Sequence, residues 1–425
     1  MRTLNKNSGV QSAEVKDWYL RLKNIAFIFF FLFLFSLPLF EAPKNIFSVL
    51  FVFLGGWVSL YRENAAQRFK SKDLVVWAFL LLAMSPFVSG VGSPYMDFPD
   101  RLSSALNWAL MPLVAFVFLS VRFSESQLVW ALRVFCVGTV FAVVEAFYSW
   151  SGEYPELNSV GHVNQSALYL AFCIIPAGFL FIKRSHVADL FLVFAVILSV
   201  FWYQGSARSM VGFGASLILL SGLWVIYCFN RKHYKMLIGS VTLGVISVAS
   251  AVSLPPQYFG PYQGFKQEFD GRLNSQNDPY SQRDRLVNTA LEVAGGSVTG
   301  FGLGSFGRAA ETSKIKKLVE ARGGDWATEG GFYFSSSHGH NIFANVLVER
   351  GWIGIVALSV FLLILLVAFS RNLRRESSQV GVLTLAVICI AGLGQSTLHV
   401  EHGQLAFICL ALCLANSEEK SKQNI

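Results

Sequence analysis

The chain has 425 residues, of which 54% are hydrophobic and only 14% are charged, and its mean hydropathy is +0.50. This composition excludes an ordinary soluble domain and predicts an integral membrane protein. The formal net charge of +8 requires no nucleic acid partner, because basic residues also collect beside anionic membrane lipids at the cytoplasmic surface.

Apolar stretches long enough to cross a hydrocarbon core of about 30 Å as helices recur along nearly the whole chain. Backbone polar groups in lipid must be satisfied within the helices themselves. We therefore predict an all-α integral membrane protein with about twelve transmembrane helices. The predicted spans are residues 24–40, 46–61, 73–90, 104–121, 128–149, 164–182, 187–203, 209–228, 236–254, 342–369, 379–397 and 403–416.

The first apolar run ends in SLPLFEAPKN and lacks the small-residue pattern of a signal peptide cleavage site. We interpret it as a retained span. Lys and Arg are concentrated in the loops on the N-terminal side, whereas the short loops on the other side carry only Lys44, Arg101 and Arg208. The positive-inside rule therefore predicts a cytoplasmic N-terminus, and the even number of spans predicts a cytoplasmic C-terminus as well.

One long segment divides the chain into three parts. Residues 1–254 carry transmembrane helices 1–9, residues 255–340 form a periplasmic loop domain, and residues 341–425 carry transmembrane helices 10–12 and a cytoplasmic C-terminal tail. Loops of this length usually have a function. All six cysteines lie inside predicted spans, so a disulfide framework or a thiolate metal site in the long loop is excluded.

The long loop contains equal numbers of basic and acidic side chains, so an anion site there requires a local group of arginines. Within it, NDPYSQRDRLVNTALEVAG predicts a short amphipathic helix that has Arg283 and Arg285 in its first turn and stops at Gly295 and Gly296. The next stretch, TGFGLGSFGR, is rich in glycine and lets the backbone approach another surface closely. An ATP-binding loop is disfavoured because no Gly-Lys-Ser/Thr follows.

Arg208 lies at the predicted outer mouth of the eighth span. A guanidinium is costly there unless it is paired with an anion or with water, which makes Arg208 a second candidate for anion binding. Two alternatives remain open. Arg208 can extend its charge to the membrane interface, and Arg283 and Arg285 can be solvated charges on a helix face.

His338 and His340 end the long loop, and Asn341 directly precedes the tenth span. The ordinary pKa of an imidazole lets it act as a base near neutral pH. Asn341 suits a helix cap, and the helix dipole there favours a neutral imidazole. Interfacial hydrogen bonding is one alternative role. The other is a metal site, which would also use His399, Glu401 and His402.

The many spans, the one long outer loop late in the chain and HNIFANVLVERGWIG at its end resemble the O-antigen ligase and O-antigen polymerase superfamily of bacterial envelope assembly. SARSMVGF resembles the Ser-Arg segment of the family, and GHVNQSALYL resembles an outer segment that bears an Asn. RDRLVNTALEVAGGSVTGFGLGSF is similar to the family's Arg-containing helix followed by GxGxGxF. The matching positions are Asn164, Arg208, either Arg283 or Arg285, Gly300, Gly302, Gly304, Phe306, His340, Asn341, Glu349, Gly351 and Gly354.

The resemblance implies a multi-pass enzyme of the bacterial inner membrane that transfers glycan from undecaprenyl-diphosphate-linked O-antigen to lipid A-core oligosaccharide, with inversion and with no metal or other cofactor. The arginines Arg208, Arg283 and Arg285 would bind the donor diphosphate. His340 or His338 would be the catalytic base. Asn341, Glu349 and Asn164 would support the site. The alternatives are an O-antigen polymerase, a polytopic transporter of envelope glycolipid and a non-catalytic receptor.

Overall fold

The computed structural model describes residues 7–60, 73–151, 154–183, 186–207, 209–240, 287, 290–291, 293–306, 317, 320–321, 341–398 and 400–419. Within these ranges the regular structure is helical, and the only strand-like pairing is an isolated bridge between Leu157 and Gly161. The long helices are α1 (Asn7–Ser36), α2 (Glu41–Leu60), α3 (Asp73–Met84), α4 (Phe98–Val121), α5 (Glu125–Tyr148), α6 (Val163–Lys183), α7 (Val187–Ala207), α8 (Met210–Asn230), α9 (Ile342–Ser370), α10 (Glu376–Gly392) and α11 (Val400–Glu419).

Eight of the described helices are long and apolar enough to cross a membrane, namely α1, α2 and α4 to α9. Helices α3 and α10 are apolar but shorter, and a 3₁₀ turn at Ser85–Val88 continues α3. These helices have the length and composition of a multi-pass α-helical membrane protein. Residues 234–240, at the start of the predicted ninth span, are helical. The rest of that span lies outside the described residues.

Local sequence signals fix several helix ends. The Asp97 side chain accepts a hydrogen bond from the Asp100 N–H and thereby caps the start of α4. Ser124 and Gln127 form a reciprocal capping box at the start of α5. Both devices satisfy backbone N–H groups that have no partner inside the helix. Helix α4 ends at Val121, and the left-handed backbone of Arg122 (φ 51°) turns the chain toward α5.

Helix α6 lies at the centre of the bundle and packs against α5, α7, α8 and α11. Side chains on all its faces are buried, among them Tyr169 and Phe172. A helix that is hydrophobic all round is suited to such a position. Near it, aromatic rings from α3, α9 and α11 meet edge to face. The contacts are Phe79 with Phe361 at 5.0 Å and Phe361 with Phe407 at 5.7 Å between ring centroids.

Charged side chains join helices that are far apart in sequence. Arg133 of α5 binds the Asp189 carboxylate of α7 through two hydrogen bonds of 2.8 and 3.0 Å. Lys44 of α2 is 2% exposed, pairs with Glu401 of α11 and donates to the Ser159 carbonyl at 2.9 Å. A buried ammonium requires such partners because desolvation is costly. The Lys44–Glu401 pair therefore ties the first part of the bundle to the last.

Candidate functional site

Helix α9 is interrupted at Gly351, whose φ is 62° and ψ is −159°. Only glycine adopts this region without strain. The break divides α9 into residues 342–350 and residues 352–370. We name them the outer and the inner half after the orientation that the sequence predicts. It falls at the last residue of the ERG sequence, residues 349–351.

The glycine-rich loop, residues 297–306, fills this break. A helix break leaves backbone groups without their usual partners, and buried groups of this kind need replacements. The loop provides them by donating to the outer half and accepting from the inner half. The hydrogen bonds are Phe301 N–H to Val348 O at 2.9 Å, Gly302 N–H to Glu349 O at 2.9 Å, Ile353 N–H to Val298 O at 3.1 Å and Trp352 N–H to Ser297 O at 3.4 Å.

Close approach of the two backbones requires glycine on both sides. A Cβ atom on Gly300, which has φ +68°, would lie 2.5 Å from the Arg350 nitrogen. A Cβ atom on Gly351 would lie 2.5 Å from the Gly300 nitrogen. Real Cβ atoms do not tolerate such distances, so a side chain at either position would separate the loop from the helix. The close backbone approach predicted for the glycine-rich stretch is confirmed.

Glu349 holds the C-terminal part of the same loop in place. Its side chain is buried, with 1% exposure. One carboxylate oxygen accepts the Gly304 N–H at 2.9 Å, and the other accepts the Asn345 Nδ2 at 3.4 Å. Hydrogen bonds from neutral donors partly replace the water that a buried carboxylate loses. Glu349, a predicted supporting residue, thus holds the loop against the outer half of α9.

Arg350 lies beside Glu349 but has a different partner. Its guanidinium carbon is 3.9 Å from the centroid of the Trp108 ring on α4, and the residue is 3% exposed. Such stacking stabilises a cation in a poorly hydrated site. Its Nε and Nη1 atoms have no hydrogen bond in the part of the chain that is described. Arg350 is not among the site residues predicted from the sequence, although a charge inside a long apolar run is itself a signal of special function.

Asn341 caps the outer end of α9, as its position before the apolar run predicts. Its Oδ1 accepts the N–H groups of Phe343 and Ala344 at 2.9 and 3.0 Å. Its Nδ2 donates to the Leu393 carbonyl at 3.2 Å, which links the cap to the end of α10. The predicted bases, His338 and His340, lie outside the described residues.

The predicted helix of the long loop contacts the same outer half of α9. Its described residues, 287, 290–291 and 293–294, are helical, and the helix ends at Gly295 and Gly296 as predicted. Val287 packs against a small hydrophobic cluster. The buried members of this cluster are Ala290, Ala294, Phe306, Ala344, Leu347 and Val348. Arg283 and Arg285, which precede this helix segment, lie outside the described residues.

Asn164, another predicted site residue, lies on a different helix from Glu349. Asn164 is half-buried in the first turn of α6, and its N–H donates to His162 Nδ1 at 3.3 Å. This hydrogen bond is local, whereas Asn341 caps α9 and Glu349 lies within it. Arg208 lies outside the described residues. Ser209, which follows it, caps α8 by accepting the Gly212 N–H at 3.3 Å.

The residues of the alternative metal site are bound to other groups of the protein. Glu401 pairs with Lys44, and His402 Nε2 lies 2.6 Å from the Ser396 carbonyl oxygen. His399 lies outside the described residues. Within the described ranges, no group of three or more His, Cys, Asp or Glu side chains is arranged to hold a metal ion. All six cysteines are free thiols, and five of them are buried.

The glycine-rich loop and the outer half of α9 form a rigid joint. Two glycines and a buried carboxylate fix residues 293–306 of the loop and the outer half of α9 to each other. The Asn341 cap links the start of α9 to the end of α10. Such a joint can hold residues on either side of it at a defined separation. No protein-family model matches the chain, and no curated protein matches it.

Proposed function

We propose that the protein is a glycosyltransferase of the bacterial inner membrane that works as an O-antigen ligase does. It passes a glycan from undecaprenyl diphosphate to a sugar hydroxyl of lipid A-core on the periplasmic side. The observation that carries the proposal is the joint described above. In it, the loop helix, the glycine-rich loop and the outer half of α9 meet, and these are three of the segments on which the resemblance to the superfamily rests.

The small hydrophobic cluster contains residues that are close in sequence to both the proposed cations and the proposed base. Val287 lies two positions after Arg285, and Ala344 lies four positions after His340. Both apolar side chains belong to the same cluster. Because consecutive Cα atoms are about 3.8 Å apart, these short intervals of sequence keep the proposed groups near the cluster. The cluster therefore supports a site in which guanidinium and imidazole groups act together.

The proposed chemistry is one direct displacement. His340 or His338 removes the proton from the acceptor hydroxyl, whose oxygen attacks the anomeric carbon of the donor glycan. The new carbon–oxygen bond forms on the face opposite the leaving group. The bond from the anomeric carbon to the diphosphate oxygen breaks, and undecaprenyl diphosphate departs with inversion of configuration. Arg208 and Arg283 or Arg285 stabilise the charge that grows on the diphosphate.

The joint suits this chemistry because displacement requires an aligned nucleophile and leaving group. Positioning contributes a large part of enzymatic rate, and small misplacements are costly. The hydrogen bond from Gly304 to Glu349 and the Asn341 cap hold both sides of the joint. Glu349 and Asn341 are thus positioning residues in this proposal, and they act through the loop and the start of α9.

The break in α9 favours an enzyme over a transporter. Transporters use unwound helix carbonyls in mid-membrane to coordinate substrates and ions. Here the Val348 and Glu349 carbonyls already accept the N–H groups of Phe301 and Gly302. Because these oxygens are occupied by the loop, the break serves attachment of the loop instead of ion binding.

The experiment is reconstitution with an undecaprenyl-diphosphate-linked glycan and lipid A-core, with EDTA present throughout. We expect glycan to appear on lipid A-core. We expect Arg208→Ala and His340→Ala each to lower the rate by about 100-fold or more, as loss of one transition-state contact does. Arg231→Ala, at an exposed position on the predicted cytoplasmic side, serves as the matched control and keeps the full rate.

Three other outcomes would change or reject the proposal. An elongated polyprenyl-linked product, formed without lipid A-core, would assign the protein to the polymerases. Absence of any transfer would reject the proposal. Equal rates for wild type and Arg208→Ala would remove that arginine from the mechanism.

A further inference from the structure

A cavity of about 260 Å³ lies among α6, α7, α8 and α10, and the proposed reaction does not use it. Each of the four helices contributes to its lining. Among the described lining residues, every side chain except that of Glu376 is aliphatic or aromatic. From Ile174 to Ile182 the lining follows α6 for about 12 Å along the helix axis. An apolar space that follows the helices in this way suits a hydrocarbon chain.

The cavity reaches the end of the bundle that the sequence predicts to be cytoplasmic. Its lining includes Ile182, next to the last residue of α6, and Glu376, the first residue of α10. Trp224 and Tyr227 line it near the end of α8, and their rings stack with 5.9 Å between centroids. Trp and Tyr side chains favour the level of the lipid headgroups. The cavity therefore ends where a lipid headgroup would lie.

A basic segment lies beside this end of the cavity. Residues 371–375 connect α9 with α10 directly before Glu376, and they include three arginines. Gln379 joins this segment to α8, because its Nε2 donates to the Leu373 carbonyl at 2.8 Å and its Oε1 accepts from Asn230 Nδ2 at 2.8 Å. Asn230 is the last residue of α8. The arginines and the aromatic end of α8 thus lie on the same side of the bundle.

We infer that the cavity binds one acyl chain of an anionic glycerophospholipid whose phosphate contacts Arg374 and Arg375. Arg374 is exposed and Arg375 is half-buried, and a guanidinium can bind phosphate through two parallel hydrogen bonds. Basic pockets between transmembrane helices at the cytoplasmic face are suited to headgroups such as that of cardiolipin.

The local charge complements a phosphate. Residues 371–376 carry three arginines and one acid, Glu376. Glu376 lies in the first turn of α10, where the helix dipole favours a carboxylate. The segment therefore keeps a net positive charge beside the cavity.

The position of the cavity favours a phospholipid over the proposed polyprenyl donor. Its α7 lining runs from Leu190 to Ile197, in the first half of that helix. Arg208, proposed to bind the donor diphosphate, follows the other end of α7. Charged headgroups stay at the membrane surface, because burial of an unpaired charge is costly. A lipid held at the basic segment therefore belongs to the opposite membrane surface, and the inference does not depend on the proposed function.

Native mass spectrometry of the purified full chain tests the class of lipid. The protein is mixed with equal amounts of cardiolipin, phosphatidylglycerol and phosphatidylcholine. We expect cardiolipin or phosphatidylglycerol to bind at least about tenfold more tightly than phosphatidylcholine, because each cation near an anionic headgroup contributes to binding. The two anionic lipids distinguish a headgroup with two phosphates from a headgroup with one. Equal binding of all three lipids, or no binding, overturns the inference.

Two variants show whether the preference arises at this cavity. Arg374→Gln combined with Arg375→Gln should weaken binding of the anionic lipid by about tenfold or more. The start of α10 should be unaffected, because Arg375 makes no side-chain capping hydrogen bond. Leu190→Trp fills the cavity from an exposed lining position and should weaken binding of the same lipid by a similar factor.

The matched control is Lys16→Gln combined with Arg21→Gln. It also removes two charges, but from α1, a helix that has no described residue in the lining. This control should bind the anionic lipid as wild type does. Wild-type binding in both cavity variants, or an equal loss of binding in the control, overturns the inference.

Trp224 reports whether a lipid chain enters the cavity. In phosphatidylcholine vesicles that contain a brominated lipid, bromine quenches nearby tryptophans, and the difference between wild type and Trp224→Phe isolates the ring that lines the cavity. We expect brominated cardiolipin or phosphatidylglycerol to quench this share of the fluorescence at a lower mole fraction than brominated phosphatidylcholine does. Equal quenching by the anionic and the zwitterionic lipid would mean that ordinary boundary lipid fills the cavity. Recovery of the Trp224 fluorescence on addition of an equal amount of undecaprenyl phosphate would assign the cavity to a prenyl chain. Either of these two results overturns the inference.

Discussion

Gly300 and Gly351 lie back to back, so close that a Cβ atom on Gly351 would come within 2.5 Å of the Gly300 nitrogen. One glycine belongs to the long loop and the other to helix α9. Their contact joins two sequence motifs, the glycine-rich stretch and the ERG sequence, into a single structural unit. Changes at either glycine should therefore act on both segments.

Gly351→Ala should destabilise the protein by about 3 kcal/mol. About 1–3 kcal/mol comes from forcing a side chain into a backbone region that favours glycine, and the clash with Gly300 adds overpacking. We expect a lower thermal unfolding midpoint in detergent and loss of glycan transfer. Gly92→Ala is the control, because Gly92 also has positive φ (+77°) but its Cβ would meet no described atom of the chain within 4 Å. It should cost about 1 kcal/mol. Equal midpoints for the two variants would contradict the proposed contact.

Removal of the Glu349 carboxyl group should release the glycine-rich loop. Glu349→Ala leaves the Gly304 N–H without its acceptor and should cost about 2 kcal/mol. Glu349→Gln keeps an acceptor oxygen and should cost less than about 1 kcal/mol. Limited proteolysis of the long loop, compared with the unfolding midpoint, measures the difference. If Glu349→Ala is cleaved at the wild-type rate, the carboxylate does not hold the loop.

The stacked pair Arg350 and Trp108 should respond asymmetrically to mutation. Trp108→Leu leaves a buried guanidinium without its ring and should cost about 3 kcal/mol. Arg350→Met removes the charge along with the need for a partner and should change stability by less than about 1 kcal/mol. The double variant should be more stable than the sum of the two single changes predicts. Additive effects in this thermal unfolding cycle would show that ring and guanidinium are not coupled.

Lys44→Met should remove the buried ion pair that connects α2 with α11. It leaves Glu401 without its ammonium partner in a mostly buried position and should cost about 3 kcal/mol. Glu401→Gln added to Lys44→Met should restore most of the loss, because the unpaired charge is then removed. Arg21→Met provides the comparison. It breaks the exposed Asp17–Arg21 pair and should leave the unfolding midpoint unchanged. If Lys44→Met unfolds at the same midpoint as wild type, the ion pair does not stabilise the bundle.

The orientation predicted from the basic loops can be measured by labelling. Thr312→Cys, in the long loop, should react with a membrane-impermeant maleimide in intact spheroplasts. Asn372→Cys, in the exposed connection after α9, should react only after permeabilisation. Five of the six native cysteines are buried and Cys389 is half-buried, so the background should be low. The reverse pattern would place the long loop in the cytoplasm and remove the basis of the proposed function.

Local signals predicted the features that depend on neighbouring residues. The Asn341 cap, the helix stop at Gly295 and Gly296, and the positions of the described helices all follow from short patterns of polarity, glycine and capping side chains. Helix ends were less accurate. Helix α1 begins at Asn7, well before the predicted span 24–40, because polar residues can continue a helix beyond the apolar core. It ends at Ser36, since Pro38 disfavours helix at the residue before it.

Features that depend on distant residues were not predicted. The stacking of Arg350 on Trp108, the pairing of Lys44 with Glu401 and the break at Gly351 each depend on segments that meet only in the folded bundle. Periodicity describes which face of a helix is apolar and gives no information on which helix will cover it. The ERG sequence fits an uninterrupted helix equally well until the loop partner is known.

The position of α11 has a consequence for biosynthesis. This last long helix of the described chain packs against α4, α6 and α10, and Phe407, Cys409 and Cys413 on it are fully buried. A nascent chain that still has α11 inside the ribosome would leave one side of α6 open to lipid. The bundle therefore closes only after α11 has been synthesised, and the earlier helices have to wait in the membrane, or beside an insertion factor, for this neighbour.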